Sequence, residues 1–230
     1  MIALFSKHPF FVDKEMESCL LLQKQGHCNR VYFVLAGGVK YIVRKLLRDD
    51  VDRELEWKVQ NLAFLKGITA EPLYFDRKEN LMVFAFLEAI HKELLDKKYL
   101  LALASTLKTL HYIHIGAKPI TLEIENKTDV VLEALDTIKK YKKELVLCHN
   151  DLTPHNIFFS PNIKLIDFEY AGINDRYFDL ASICIEFKLK EDMQKLFMEA
   201  YFEGDYNLEK LEAYKIIYKT LCKEWFAKNL

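Results

Sequence analysis

Four residues in this chain have types and spacing that fit one reaction: His149, Asp151, Asn156 and Asp167. They occur in Leu147-Cys148-His149-Asn150-Asp151-Leu152-Thr153-Pro154-His155-Asn156 and, shortly after, in Leu165-Ile166-Asp167-Phe168-Glu169. One carboxylate beside an attacking hydroxyl, plus an amide oxygen and a second carboxylate to hold Mg²⁺ against phosphates, are the parts that phosphoryl transfer from ATP requires. The residues between them suit the task. Ile157-Phe158-Phe159 is a short β-prone run, Ser160-Pro161-Asn162 is turn chemistry, and Ile163-Lys164-Leu165-Ile166 is a second strand. A loop, a hairpin and then a carboxylate would return Asn156 and Asp167 to one point. Taken singly, Asp151 could cap a turn, His149 could sit satisfied in a core and Asp167 could end a strand. The ordered set is what favours chemistry.

The elements that must position these residues begin near the N-terminus. Ser18 to Gln23 reads as a strand, Gly26-His27-Cys28-Asn29 as a polar turn, and Val31 to Leu35 as a second strand. Gly37-Gly38 is a two-residue hairpin turn, and Val39 to Leu46 a third strand. The turn at Gly26 is either an ordinary hairpin or a loop laying N–H groups over phosphates. On the third strand the period of two puts Arg44 and Lys45 on opposite faces, with Arg44 beside Ile42 and Leu46. A cation there needs a partner. The next segment, Asp52 to Phe64, has Leu55, Val59, Leu62 and Ala63 at helical spacing and offers Glu54 or Glu56. Two more strands flank Asp76 to Asn80, completing five strands and one helix. Beyond residue 88 the pattern turns helical: Lys98 to His114, Asp129 to Tyr141, and from Glu191 to the end. His111 and His114 read as packing or capping groups, with no cysteine or carboxylate at metal-ligand spacing beside them. The lysines after Ile138 are explained by a solvated helix C-terminus.

The motifs resemble a known family. Protein kinases use His-Arg-Asp…Asn and then Asp-Phe-Gly. Here Asn150 between His149 and Asp151, Cys148 before them, and Asp167-Phe168-Glu169-Tyr170 resemble the choline/ethanolamine kinases of the aminoglycoside-phosphotransferase group. The wider group usually has Gly at the place of Asn150. The resemblance extends to Leu110-His111-Tyr112-Ile113-His114, to Asp179-Leu180-Ala181, and to Glu186 seven residues after Asp179. It implies an α+β, two-lobed protein-kinase-like fold, with a small antiparallel β lobe (1–88) for nucleotide and a larger, mainly helical lobe (89–230) for catalysis and acceptor. It implies ATP and Mg²⁺ as cofactors, Asp151 as base, and Asn156 and Asp167 as metal ligands. Arg44 paired with Glu56 would hold the phosphates, the Arg53-to-Glu56 spacing selecting that glutamate. Asn29, and Phe86 and Glu88 at a hinge, would contact nucleotide. Glu186 and Trp225, with Tyr170 and Tyr177, would receive the acceptor, and Asp179 would hold the catalytic loop. One departure stands out: the family commonly carries Trp-x-x-Trp in the acceptor pocket, and here the first position is Cys222.

Composition narrows the rest. Of the 230 residues, 51% are hydrophobic and only 7 are Gly and 5 Pro, which describes a globular chain. The charges, 33 basic against 34 acidic, give a net −1 and no nucleic-acid footprint. Five scattered cysteines without a Cys-x-x-Cys pair read as reduced thiols. Met1 to Lys7 lacks a signal peptide's apolar core, and Leu81 to Ile90 is too short to span a bilayer. These features fit a cytoplasmic protein, and the resemblance implies an enzyme acting on a small amino alcohol, choline first and ethanolamine second. Its rivals are a kinase of the same fold acting on thiamine, an aminoglycoside or a sugar, and a pseudokinase that only binds nucleotide or a partner.

Overall fold

The structure, a computed structural model, describes residues 4–23, 29–159 and 162–229. The turns expected at Gly26 and at Ser160-Pro161 lie outside the described residues.

The first lobe is a five-stranded antiparallel sheet in the order β1-β2-β3-β5-β4. Its strands are β1 (Met16–Leu21), β2 (Asn29–Ala36), β3 (Val39–Leu46), β4 (Pro72–Asp76) and β5 (Leu81–Ala85). Between β2 and β3, Gly37 and Gly38 both have positive φ, +58° and +73°. A two-residue hairpin following the right-handed twist requires this backbone, and glycine reaches it without strain. Alternation along β3 divides the sheet's two faces. Tyr41 and Val43 join Tyr32 and Val34 under Phe5, Phe10 and Phe11 of the N-terminal segment. Ile42 and Leu46 join Met82 and Phe84 on the face covered by Trp57. The sequence offers no reason to give residues 4–14 a role, yet they cover one side of the sheet.

Helix α1 (Arg53–Leu65) crosses the other side. Asp52 caps it by accepting the Leu55 N–H, and Gly67 ends it at φ +72°. Its buried stripe is Glu56, Val59, Gln60 and Ala63. Glu54 points outward to Arg77. Helical phase alone therefore separates the two candidate glutamates.

The second lobe is built from α2 (Lys97–His111), α3 (Asp129–Lys139), α4 (Arg176–Glu186), α5 (Glu191–Phe202) and α6 (Leu208–Asn229). Helix α2 packs on α5, and α6 packs on both α3 and α4. The C-terminal region is not one continuous helix, as periodicity suggested. Glu203 takes a left-handed φ of +57°, and Asn207 starts α6 by accepting the Lys210 N–H at 2.8 Å. Gly204, Asp205 and Asn207 are the residues that favour this break. Two small ribbons complete the lobe: β6 (Leu145–Cys148) with β9 (Gly172–Asp175), and β7 (Ile157–Phe158) with β8 (Lys164–Leu165). They bracket the stretch carrying Asp151, Asn156 and Asp167.

Candidate active site

The loop after β6 is held by its backbone. Asp179 of α4, fully buried, accepts the N–H of His149 at 2.7 Å on one oxygen and that of Asn150 at 2.9 Å on the other. Asn150 sits at φ +65°. That conformation suits glycine or asparagine and strains most other side chains. Asparagine then adds bonds that glycine lacks: its Nδ2 donates to the Tyr170 carbonyl at 3.0 Å and its Oδ1 accepts from Asn174 at 2.8 Å. The His149 ring, also fully buried, bonds through Nε2 to the Ile166 carbonyl at 2.9 Å, while Nδ1 accepts the Asp151 N–H at 3.3 Å. One imidazole thus ties the Asp151 loop to the strand leading to Asp167.

Asn156 is where the hairpin geometry takes effect. Its Nδ2 donates to the Asp151 carbonyl at 2.8 Å and to the Asp151 carboxylate at 2.7 Å. With both N–H bonds spent on Asp151, its Oδ1 is the atom turned away from that carboxylate. Asp167 follows with φ +65° and accepts Arg44 Nη2 at 2.6 Å.

Arg44 is 7% exposed and forks. Nη1 donates to Glu56 Oε1 at 2.7 Å, while Nη2 takes Asp167 and lies 3.9 Å from Glu169. Lys45, on the opposite face, reaches the Glu79 carbonyl and carboxylate at the surface. The network extends further than the sequence indicates. Arg53 donates to Glu56 Oε2 at 2.7 Å and to Glu169 at 3.3 Å, and Asn29 donates to Glu169 at 3.0 Å. Asn29 is thereby buried, at 4% exposure, as a prop for Glu169, and not displayed on a loop over phosphates.

The charges do not balance. Two guanidinium groups, Arg44 and Arg53, face Glu56, Asp167 and Glu169, with Asp151 close by. Burial, with the neighbouring charges of Asp167 and Glu169, pushes Asp151 up to about 6 against the opposing influence of His149. Burial and Glu169 likewise raise Asp167, against the pull of Arg44. Burial works against the charge on Arg44, but Asp167, Glu56 and Glu169 outweigh it and hold the group firmly protonated. A site of hard oxygen donors with surplus negative charge suits a divalent cation.

Beside this cluster lies a cleft of about 260 Å³, lined by Val31, Ile42, Ala70, Phe84, Phe86 and Phe158 and closed at one end by Arg44 and Asp167. Phe86 faces this space. The Glu88 side chain does not: it is 75% exposed and bonds Lys40 at 2.5 Å. Of residues 87–89, Leu87 and Ala89 border the cleft.

On the other side of Asp151, α6 presents Tyr218, Cys222 and Trp225 at a spacing that shares one helix face. The Tyr218 hydroxyl donates to Glu186 at 2.9 Å. Burial raises the Cys222 thiol, as do the carboxylates of Glu186 and Asp151, while Tyr218 opposes them. This places Cys222 in the field of both acids. Trp225 Nε1 donates to the Tyr170 hydroxyl at 3.3 Å. Tyr218 and Trp225, two turns apart on α6, thus carry contacts to Glu186 and to Tyr170 respectively. Nothing in the sequence around Tyr218 sets it apart from the other aromatic residues of this helical region.

Tyr177 is not brought there. It is 2% exposed, packs on Phe202 at 5.4 Å, and its hydroxyl accepts the Asn207 N–H at 2.9 Å. In the first turn of α4, its position faces the helical core, so proximity to Tyr170 in sequence misleads. His111 is a packing group, as its sequence context suggests, although a cysteine and a carboxylate do stand beside it in space. His111 is joined by Cys148 and Asp179 from distant segments, their ligand atoms within 4.8 Å of one another. The three are already committed, however. His111 bonds Asp179 at 3.1 Å and Tyr201 at 2.7 Å, and burial together with Asp179 and Asp175 keeps the Cys148 thiol protonated. The cluster braces the loop.

Comparison with known proteins bears on the family and the fold. Residues 121–214 match the model of the phosphotransferase enzyme family. Protein LicA of Haemophilus influenzae is 24% identical over 88% of this chain and 86% of its own length. Human ethanolamine kinase 2 is 23% identical over 77% of this chain and 49% of its own length. Among solved structures, choline kinase LicA from Streptococcus pneumoniae superposes with a TM-score of 0.79 at 22% identity, covering 92% of this chain and 85% of that one. The two-lobed α+β architecture is therefore kinase-like.

Proposed function

We propose that this chain, which carries a phosphotransferase-family domain, is an ATP-dependent kinase that phosphorylates the hydroxyl of a small amino alcohol, choline or ethanolamine. The observation that carries the proposal is the convergence of Asp151, Asn156 and Asp167 beside the Arg44–Glu56 pair at the end of an apolar cleft. The cleft, with Phe86, takes the adenine, and the backbone of 87–89 takes the hinge role. Arg44, held by Glu56, contacts the α- and β-phosphates. Asn156 Oδ1 and the Asp167 carboxylate hold Mg²⁺, which neutralises phosphate charge when bound. Asp151 orients the acceptor hydroxyl and receives its proton as the oxygen bonds to the γ-phosphorus and the bond to the ADP oxygen breaks. Glu186 receives the acceptor's cation, and Trp225 and Tyr170 flank it.

We place the lobe boundary near residue 88 and the enzyme in the cytoplasm. The boundary is supported by β5 ending at Ala85 and α2 starting at Lys97, and the compartment by Cys19, Cys148, Cys184 and Cys222 being free thiols; among the described residues no helix is long and apolar enough to cross a membrane.

The test is a panel of choline, ethanolamine, thiamine and an aminoglycoside with Mg-ATP, read as phosphorylated product. The expected result is turnover of both amines, with ethanolamine a close competitor because Cys222 supplies no second indole. Glu186→Gln is expected to lower kcat/KM for both amines by roughly tenfold or more, since each loses its counter-charge. Trp225→Ala is expected to penalise choline more than ethanolamine. A quaternary ammonium has no N–H to donate and depends on ring faces, each contributing about 0.5–2 kcal/mol. Turnover of thiamine or the aminoglycoside alone would refute the acceptor assignment.

A further inference from the structure

The chain leaving the cleft after Ala89 pairs at once with the segment that follows the catalytic loop. Ile90 donates its N–H to the Phe159 carbonyl at 3.2 Å and accepts the Phe159 N–H at 2.7 Å. This pairing fixes the next residue, His91, against two things. Its Nδ1 lies 3.1 Å from the Pro154 carbonyl and 3.1 Å from the Ile157 carbonyl. A carbonyl can only accept, so Nδ1 carries a proton and shares it between the two. Those carbonyls lie on either side of Asn156 in the chain, one at the start of the 3₁₀ turn Pro154–Asn156 and one at its C-cap. The imidazole also stacks on the Phe158 ring, with centres 4.3 Å apart and planes 26° from parallel. Phe158 is one of the residues that line the cleft.

One side chain therefore touches both the wall of the cleft and the backbone that carries Asn156. The second contact matters for the metal site. Asn156 spends both side-chain N–H bonds on Asp151, so the position of its Oδ1 follows the backbone of its turn. The His91 N–H ties that turn down at both ends. We propose that His91 is a positioning residue for phosphoryl transfer: its N–H sets the turn bearing Asn156, and its ring supports Phe158 at the nucleotide cleft. The inference rests on the kinase reading, in which Asn156 holds Mg²⁺ and the cleft takes adenine. Histidine suits the place because it joins an N–H close to its own backbone with a flat ring face. Asparagine supplies the first without the second, and phenylalanine the second without the first. His91 is itself exposed, so replacing it opens no core cavity.

The experiment separates the two contacts. Binding of ADP is measured by calorimetry, in EDTA and in Mg²⁺, for wild type, His91→Asn and His91→Phe. Affinity in EDTA reports the cleft, and the gain in affinity on adding Mg²⁺ reports the metal ligands. His91→Asn keeps a donor for the two carbonyls and loses the ring. It is expected to weaken ADP in EDTA about threefold, the scale of one ring contact, and to keep the wild-type gain from Mg²⁺. His91→Phe keeps the ring and loses the donor. It is expected to hold the EDTA affinity within about twofold and to cut the Mg²⁺ gain about fivefold, the scale of one net hydrogen bond. Two variants that match wild type in both measurements overturn the proposal. So do two variants that lose both affinities in parallel, as a residue that merely props the loop would. The measurement needs no acceptor. If wild type binds Mg-ADP but phosphorylates neither amine, the acceptor assignment fails and the two variants still decide the role of His91. If wild type binds no ADP, the kinase reading and this proposal fall together.

Discussion

Asp151→Asn is expected to lower kcat by about a thousandfold or more while leaving the KM for ATP within severalfold. The carboxylate acts on the acceptor's proton and not on the nucleotide, and general-base loss of this kind removes roughly 10²–10⁴ of rate. The substitution keeps an oxygen that can accept from Asn156, so the loop geometry should survive. Asp167→Asn should differ by weakening Mg-ATP binding as well. A near-normal kcat in Asp151→Asn would show that the proton goes elsewhere.

The same substitution makes a second, opposite prediction for stability. Burial raises Asp151 from 3.8 to about 6, so the folded protein binds this proton more tightly than the unfolded chain does. Raising the pH from below 4 to above 6 therefore removes stability from the wild type. Asparagine carries no such penalty. In EDTA, Asp151→Asn should gain stability on wild type as pH rises through this window, by about 1–3 kcal/mol above pH 6. Denaturant midpoints at pH 4 and pH 8 measure it, and a constant difference between the two proteins would count against the buried, strained carboxylate. A residue whose removal abolishes turnover and stabilises the fold is placed for chemistry.

Arg44→Ala is expected to produce the largest combined loss. It leaves Glu56 and Asp167, both of which it now pairs, without their shared cation. Glu56 keeps Arg53, so Asp167 is the acid left without its cation, and breaking a pair of this kind destabilises by up to about 3–5 kcal/mol. Turnover should fall at least a hundredfold, with a raised KM for ATP. Arg44→Lys should recover little, because an ammonium cannot span both carboxylates as the planar fork does. Lys45→Ala, one residue along, should change stability by less than about 1 kcal/mol, since its partner Glu79 is at the surface. Equal effects of the two alanine substitutions would contradict the strand register.

The sequence by itself determined what depends on local periodicity and on residue type. Alternation along β3 assigned Arg44 and Lys45 to opposite faces, and Gly37-Gly38 marked the hairpin. The spacing of Asp151, Asn156 and Asp167 around a short ribbon specified their convergence. These signals are legible because a strand's period and a turn's required φ act within a few residues. Long-range pairing left no such trace. Glu169, Arg53 and Asn29 come from three segments, and only the closed structure showed that they share one buried network with Arg44. Tyr177 and Tyr170 looked equivalent in sequence, but the first turn of α4 rotates one into the core while the other keeps its hydroxyl on Trp225 and Arg48. Residues 4–14 carry no periodic pattern, since a segment that covers a sheet without forming an element is fixed by the surface beneath it. His91 was invisible for the same reason: a loop side chain's partners are chosen by the segment it meets, and that is decided by packing.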